Sequence, residues 1–200
     1  MQDDTVYQSK PENFLIAALG KIDDSCSVAK LLIMTIYFYK ANELYGCFSN
    51  FSPHGIQLQA THWPTVEHYY QSQKFVGTAD AALIPLIHAA PTPAQAAALG
   101  RDRTYQVRPD WEQVKLQVMR EAVLKKFLTH TDIAAILIST GNQLIVENSQ
   151  TDYYWGWGEE QTGQNHLGKI LMSVRHQIRQ QCAKGTVTLK SLPSSDQIGG

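Results

Sequence analysis

The chain has 200 residues, 44% of them apolar and 18% charged, with a formal net charge of -1. That length and apolar content suit one domain around one core. The charge balance excludes a broadly basic nucleic-acid or membrane surface and leaves room for a local basic pocket.

Cys26, Cys47 and Cys182 stand far apart with no Cys-x-x-Cys pair. This argues against a zinc knuckle or a disulfide framework and for a reducing compartment. The N-terminus is acidic, unlike a signal peptide, and the apolar stretch VAKLLIMTIYFY is too short to span a bilayer. The chain reads as soluble and cytoplasmic, with no membrane partner.

Residues 1–34 read as an N-terminal extension. Asp23, Asp24 and Ser25 form a polar break able to cap a short helix beginning near Cys26. Residues 35–39, TIYFY, are β-branched and aromatic and predict a strand. Residues 46–55 mix turn formers with phenylalanines and predict a loop that packs at one end and binds at the other. Residues 56–60 alternate like a second strand. Thr65, after Pro64, caps a helix over 65–75. A helix over 79–88 follows, then an alanine-rich helix stopped by Gly100. Residues 111–128 carry the clearest helical period, with Asp110 as their cap. The apolar run 133–139 has no decisive period. Residues 144–147 predict a short strand, 151–168 a glycine and aromatic loop, and 167–179 the last helix. The tail beyond about Gly185 frays. The fold class is α+β: a mostly helical single domain with a small sheet over 35–182, then a tail over 183–200. Neither a GxGxxG fingerprint nor a Walker loop is present.

Chemistry concentrates in two stretches. In PTVEHYYQSQKF, residues 64–75, a helix puts Glu67, Gln71 and Lys74 on one face and Val66, Tyr70 and Gln73 on another. The bland alternative is a solvated Glu-to-Lys stripe. Trp63, His68, Tyr69 and Tyr70 make the segment more aromatic than such a stripe needs, which favours a semi-buried hydrogen-bonding wall. A lysine in that wall has a lowered pKa and can attack a masked aldehyde, and a glutamate beside it can move protons. In ENSQTDYYWGWGEEQTGQNHLG, residues 147–168, Asp152 sits among Tyr153, Tyr154, Trp155 and Trp157. The rings offer stacking surface for a planar base, and Asp152 offers a carboxylate to a cationic sugar carbon. The alternative makes the tryptophans core anchors and Asp152 a turn former. Asn165 reads as a helix cap or a ligand contact.

The segments FYKANELYGCFSNFSP, WPTVEHYYQSQKF, WEQVKLQVMREAVLKKF, STGNQLIVENSQTDYYWGWG and GQNHLGKILMSVR occur in this order over residues 37–175. Together they resemble the NADAR family of small N-glycosidases, also called YbiA-like. The resemblance implies a YbiA-like fold and hydrolysis of a bond between ribose C1 and nitrogen. That chemistry requires no metal, for which the sequence offers no convincing His-Cys-Asp ligand set, and no cofactor is expected. By position it implies Glu67 as catalytic glutamate and Lys74 as the family's lysine. It places Ser49, Asn50 and Phe51 beside the ribose or base, and matches Asp152, Trp155, Gly156, Asn165, Gly100, Arg101 and Trp111 to motif positions. One departure is Trp157-Gly158, where relatives often carry an acidic residue soon after Trp-Gly.

On this combined reading Lys74 forms a Schiff base at C1, Glu67 moves protons, and Asp152 is a second carboxylate. Trp155 and Tyr69 stack on the base or exclude water, Asn50 binds a ribose hydroxyl, and Arg101 clamps phosphate. Direct hydrolysis, with Glu67 activating water, is the simpler alternative. The implied substrates are ADP-ribosylated guanine, carried on DNA or RNA, and the phosphoribosylamino-pyrimidine intermediates of riboflavin synthesis. Trp155 and Trp157 tip the reading toward ADP-ribose through their stacking surface. A non-catalytic ADP-ribose-binding module is the rival class, and the presence of both Glu67 and Lys74 counts against it.

Overall fold

Six α-helices and four short strands form over residues 35–189, the part of the chain that the computed structural model describes. The short helix expected near Cys26 and the outer tail lie outside the described residues. Those described belong to one compact unit beginning at Thr35.

Strand β1 (Ile36–Phe38) buries Ile36 and Phe38 and turns Tyr37 outward, as its alternation requires. It pairs in parallel with β4 (Ile145–Glu147), bringing Phe38 opposite Glu147. A turn of 3₁₀ helix at Gly46–Phe48 follows β1. Strands β2 (Ile56–Leu58) and β3 (Thr61–Trp63) form an antiparallel hairpin. Its two turn residues, Gln59 and Ala60, both have positive φ, 51° and 60°. That geometry is normally signalled by Asn-Gly. Gln-Ala carries no such signal, so the sequence reading ran residues 56–60 together and missed β3.

Helix α1 (Val66–Gln73) is capped by Thr65, whose hydroxyl accepts from His68 N at 3.3 Å. Every residue of α1 is buried, which overturns the solvated-stripe alternative. The helix is enclosed by α2 (Leu83–His88), α3 (Pro93–Arg101) and α4 (Trp111–Thr129). Its polar groups are therefore paired or aimed at a cavity. His68 hydrogen-bonds to the Ala90 carbonyl at 3.0 Å, and Ser72 donates to the Tyr69 carbonyl at 2.7 Å.

Three expectations about these helices are corrected. Residues 79–82 are turns, so α2 is shorter than predicted. Gly100 lies inside α3; a Cβ there would stand 2.1 Å from Gln71 Oε1, so the glycine permits α3 to touch α1. Asp110 makes no capping bond to α4, because its carboxylate takes the Arg108 guanidinium at 2.6 and 2.8 Å. The ambiguous apolar run is helix α5 (Thr131–Ser139), buried through Ile133, Ala134 and Leu137. Helix α6 (His166–Ala183) closes the domain against α4, α5 and β4. The architecture is mostly helical with a small sheet component, divided between two strand pairs. Among the described residues no helix is long and apolar enough to cross a membrane.

Candidate active site

A cavity of about 900 Å³ opens between α1, α3, α4 and the chain ends of β1 and β4, with residues 49–51 and 149–155 completing its wall. The helical period of α1 presents Glu67, Tyr70 and Gln71 to it, and Lys74 follows one residue past the helix.

Glu67 is buried, and its Oε1 accepts from Gln71 Nε2 at 2.7 Å. Arg101 Nη2 stands 3.9 Å from the same oxygen, with its own side chain 65% exposed at the rim. Burial pushes the Glu67 carboxyl above the usual range, while the Gln71 bond and the charges of Arg101 and Lys74 oppose that rise. Lys74 Nζ donates to the Gly100 carbonyl at 2.7 Å. It lies 5.8 Å from the Tyr70 ring and 6.0 Å from the Trp111 ring. Burial lowers its pKa to about 8, against the pull of Glu67. An appreciable fraction of this amine is then neutral and nucleophilic near neutral pH.

The loop of Ser49, Asn50 and Phe51 forms another wall. The Asn50 carbonyl accepts from Glu67 N at 3.2 Å, which ties the loop to the start of α1. Asn50 Nδ2 points at Met119 Sδ, 3.3 Å away, and its Oδ1 is buried with no partner. Ser49 Oγ accepts from Phe51 N at 3.3 Å. Behind the loop, Lys126 Nζ donates to the Ser49 carbonyl at 2.9 Å and to Ser52 Oγ at 2.6 Å.

Asp152 is a turn former that also lines the cavity. Its Oδ1 accepts from Tyr154 N at 2.9 Å and Trp155 N at 2.7 Å. Trp155 lines the cavity edge-on to Tyr70, with ring centroids 5.4 Å apart.

Several predicted contacts stand elsewhere. Tyr69 is 1% exposed and packs edge-to-face on Trp63 in the core, so it reaches no ligand in the cavity. The side chain facing the cavity is Tyr70, three residues from Glu67 on the helical period. Trp111 lies under Tyr70, with centroids 5.0 Å apart, and supports the wall without lining it. Gly156 is a close-approach residue, where a Cβ would meet the Glu147 carbonyl at 2.9 Å. Asn165 makes no capping bond. Its Oδ1 accepts from Glu147 N at 3.1 Å and its Nδ2 donates to the Ile145 carbonyl at 2.9 Å, so it braces β4 from behind. Trp157 stacks on Tyr37 at 5.9 Å, outside the cavity lining.

The sequence reading missed three wall residues of consequence. Tyr70 was recoverable by counting the helical period. Lys115 lies on α4; its Nζ is bound to Glu112 at 2.6 Å and sits 3.7 Å over the Tyr154 ring. Glu147 ends β4, and its Oε2 is buried without a partner. Burial, together with the charges of Asp152 and Glu67, raises its pKa to about 8. Its place in the cavity depends on the β1–β4 pairing, which no local pattern reveals.

A half-buried lysine, a buried carboxyl group, polar atoms without partners and an aromatic ring on one cavity wall make a site equipped for proton transfer and nucleophilic attack. The NADAR domain model matches residues 37–179. An N-glycosidase of Nostoc punctiforme is 68% identical over 146 residues, covering 73% of this chain and 94% of that protein. The riboflavin biosynthesis protein PYRR of Zea mays is 40% identical over 176 residues, which cover 82% of this chain and 27% of that one. The NMR structure of the Escherichia coli protein YbiA superposes with a TM-score of 0.69 at 40% identity, covering 76% of this chain and 88% of that chain. The class is that of the N-glycosidases. Within it, this chain belongs to the NADAR family.

Proposed function

We propose that the chain hydrolyses the bond between ribose C1 and an exocyclic amine nitrogen in a phosphorylated N-riboside, through a Schiff base on Lys74. The observation that carries this reading is the juxtaposition of Lys74 and the buried Glu67 on one cavity wall, with the Lys74 amine held by a neutral carbonyl and its pKa lowered to about 8.

An amine on C1 lets the ribose open to an imine once its ring oxygen gains a proton. Lys74 adds to C1, and the C1–N bond to the base breaks as the departing nitrogen takes a proton. Water then adds to the lysine imine, Lys74 leaves, and the free sugar closes again. The net change is one water consumed and one amine released. Glu67, with its pKa raised, carries protons between ring oxygen, leaving nitrogen and water. Asp152 holds the turn that presents Trp155 and adds negative potential near C1. Asn50 Oδ1 accepts from a ribose hydroxyl, and the exposed Arg101 binds phosphate at the rim.

Two substrates contain this bond. Attraction to ADP-ribosylated guanine rested on two tryptophans, and Trp157 stands outside the cavity lining. The riboflavin biosynthesis name of the Zea mays relative supports a phosphoribosylamino-pyrimidine as the substrate. The cavity volume of about 900 Å³ supports ADP-ribosylated guanine as a second reading, since it lies near the upper end of small-molecule sites. Incubation with each substrate in cyanoborohydride, followed by intact mass and peptide mapping, tests both. A sugar adduct on Lys74 from one substrate is expected and identifies the branch. Base release with no adduct at any reductant concentration favours direct hydrolysis by Glu67-activated water. Absence of release from both leaves a binding module.

A further inference from the structure

The cavity wall carries three carboxyls and four cations, and none of the four cations is paired with Glu147. Glu67, Glu147 and Asp152 all line it. Of the cations on its wall, Lys40 is 3.5 Å from Glu43 and Lys115 is 2.6 Å from Glu112, so both are already paired. Lys74 is bound to a carbonyl, and Arg101 reaches only Glu67, from the exposed rim.

The three carboxyls are not equally supported. Asp152 receives two backbone N–H groups. Glu67 receives the Gln71 amide and faces Arg101. Glu147 receives nothing at its buried Oε2. A carboxylate buried without a donor is costly, and the group relieves that cost by keeping its proton. Burial and the two neighbouring carboxyls push the Glu147 pKa up to about 8, with Arg101 the opposing charge.

Its position is fixed from both sides. Asn165 Oδ1 holds the Glu147 N–H, and the Glu147 carbonyl accepts from Trp157 N at 2.9 Å. The register with β1 sets it opposite Phe38. The other unpartnered oxygens on the cavity lining are Gln71 Oε1, crowded against Gly100, and Asn50 Oδ1. Asn50 Oδ1 can only accept. An ionised Glu147 would add a further acceptor beside two carboxyls. A neutral Glu147 supplies a donor, and a donor with an acceptor is what a pair of sugar hydroxyls, each able to give and take, requires.

We infer that Glu147 is kept as a neutral carboxylic acid and donates a hydrogen bond to a hydroxyl oxygen of the bound ribose, with Asn50 Oδ1 accepting from the sugar. The ribose in this statement rests on the proposed function; the protonation state of Glu147 does not.

Two measurements test it without turnover. The first is the infrared difference spectrum between the protein and its Glu147→Gln variant. At pH 7 it is expected to contain the band of a neutral carboxyl, lost as the pH rises to 10. An ionised carboxylate band at pH 7 overturns the inference. The second is calorimetric binding of ribose 5-phosphate and of ADP-ribose across pH 6 to 9. Wild-type affinity is expected to fall about tenfold from pH 7 to 9, and Glu147→Gln, which keeps an N–H donor, to bind within about threefold at pH 7 without that fall. Glu147→Ala is expected to lose about tenfold at pH 7. Lys74 is present in all three proteins, so its titration cancels in the comparison. Equal affinities for wild type and Glu147→Ala overturn the donated bond. So does a Glu147→Gln variant as weak as Glu147→Ala. Binding with this pattern but no base release from any N-riboside would sink the proposed reaction and leave Glu147 as assigned.

Discussion

Among the described residues Lys126 is fully buried and Lys74 half-buried, and they teach different things. Lys126, on α4, is 1% exposed, and burial lowers its pKa to about 7. Lys74 is lowered to about 8 for the same reason. By pKa alone Lys126 is the better nucleophile. Its neutral amine has two N–H groups, and both are taken, by the Ser49 carbonyl and Ser52 Oγ. It does not line the cavity, and no carboxylate stands within salt-bridge reach of it among the described residues. Lys74 lies on the cavity wall with Glu67 beside it. A lowered pKa records desolvation; chemistry also needs an opening and a proton carrier.

The sharpest break of that comparison is Lys74→Ala. Base release is expected to fall by about a thousandfold or more, with the circular dichroism spectrum and melting point close to wild type. Near-normal turnover would remove the Schiff base. Next comes Gly100→Ala. The new methyl would displace Gln71 from Glu67 and move the carbonyl that holds Lys74. Loss of kcat/KM on the order of a hundredfold is expected, since small misplacements of reacting groups cost that much. An unchanged kcat/KM would show that Gln71 and Gly100 do not position the pair.

Lys126→Met should act more weakly on turnover, about tenfold, through the Ser49–Phe51 loop. Its clearer mark is on stability against pH. The folded pKa of about 7 lies below the ordinary 10.5. Between those values this lysine binds more protons in the unfolded chain than in the folded one, so its contribution to stability rises with pH through that window. Below pH 7 both states are charged, and the full cost of burying the ammonium is present. Urea titrations at pH 7 and 10 should show stability changing more positively with pH in wild type than in Lys126→Met, the rest of the change being shared by Lys74, which acts in the same direction, and by Glu147 and Cys47, whose raised pKa values act against it. Equal slopes would mean that Lys126 stays charged. The smallest effect is expected from Tyr69→Phe, within about twofold in turnover, against a loss of several-fold for Tyr70→Phe on the wall beside it. The reverse order would return Tyr69 to the ligand.

What could be read in the sequence was whatever a local period records. The shared face of Glu67, Gln71 and Lys74, the Thr65 cap and the long α4 all follow from helical spacing. Tyr70 was assigned to the wrong face although the same spacing places it three residues from Glu67. Other features had no local trace. The role of Asn165 as a brace depends on where β4 runs, and so does the presence of Glu147 in the cavity. Lys126 sits at an unremarkable position in a helix with lysine on both sides of the question: Lys125 is its neighbour, and only packing decides which amine is buried. Gly100 read as a helix stop because a glycine near a helix end serves equally as a terminator or as a place where a second helix comes close.

The parallel pairing of β1 with β4 joins the beginning of the described chain to a segment far along it. That contact closes a loop on the order of a hundred residues, and such closures cost entropy before they return any contact energy. Helices α1 to α4 have the local contacts that assemble early. Glu147 and Asp152 reach Glu67 and Lys74 only after the two strands meet. A chain still emerging from the ribosome therefore carries the lysine without its full set of carboxyl partners, and activity should appear on refolding as a late, cooperative phase.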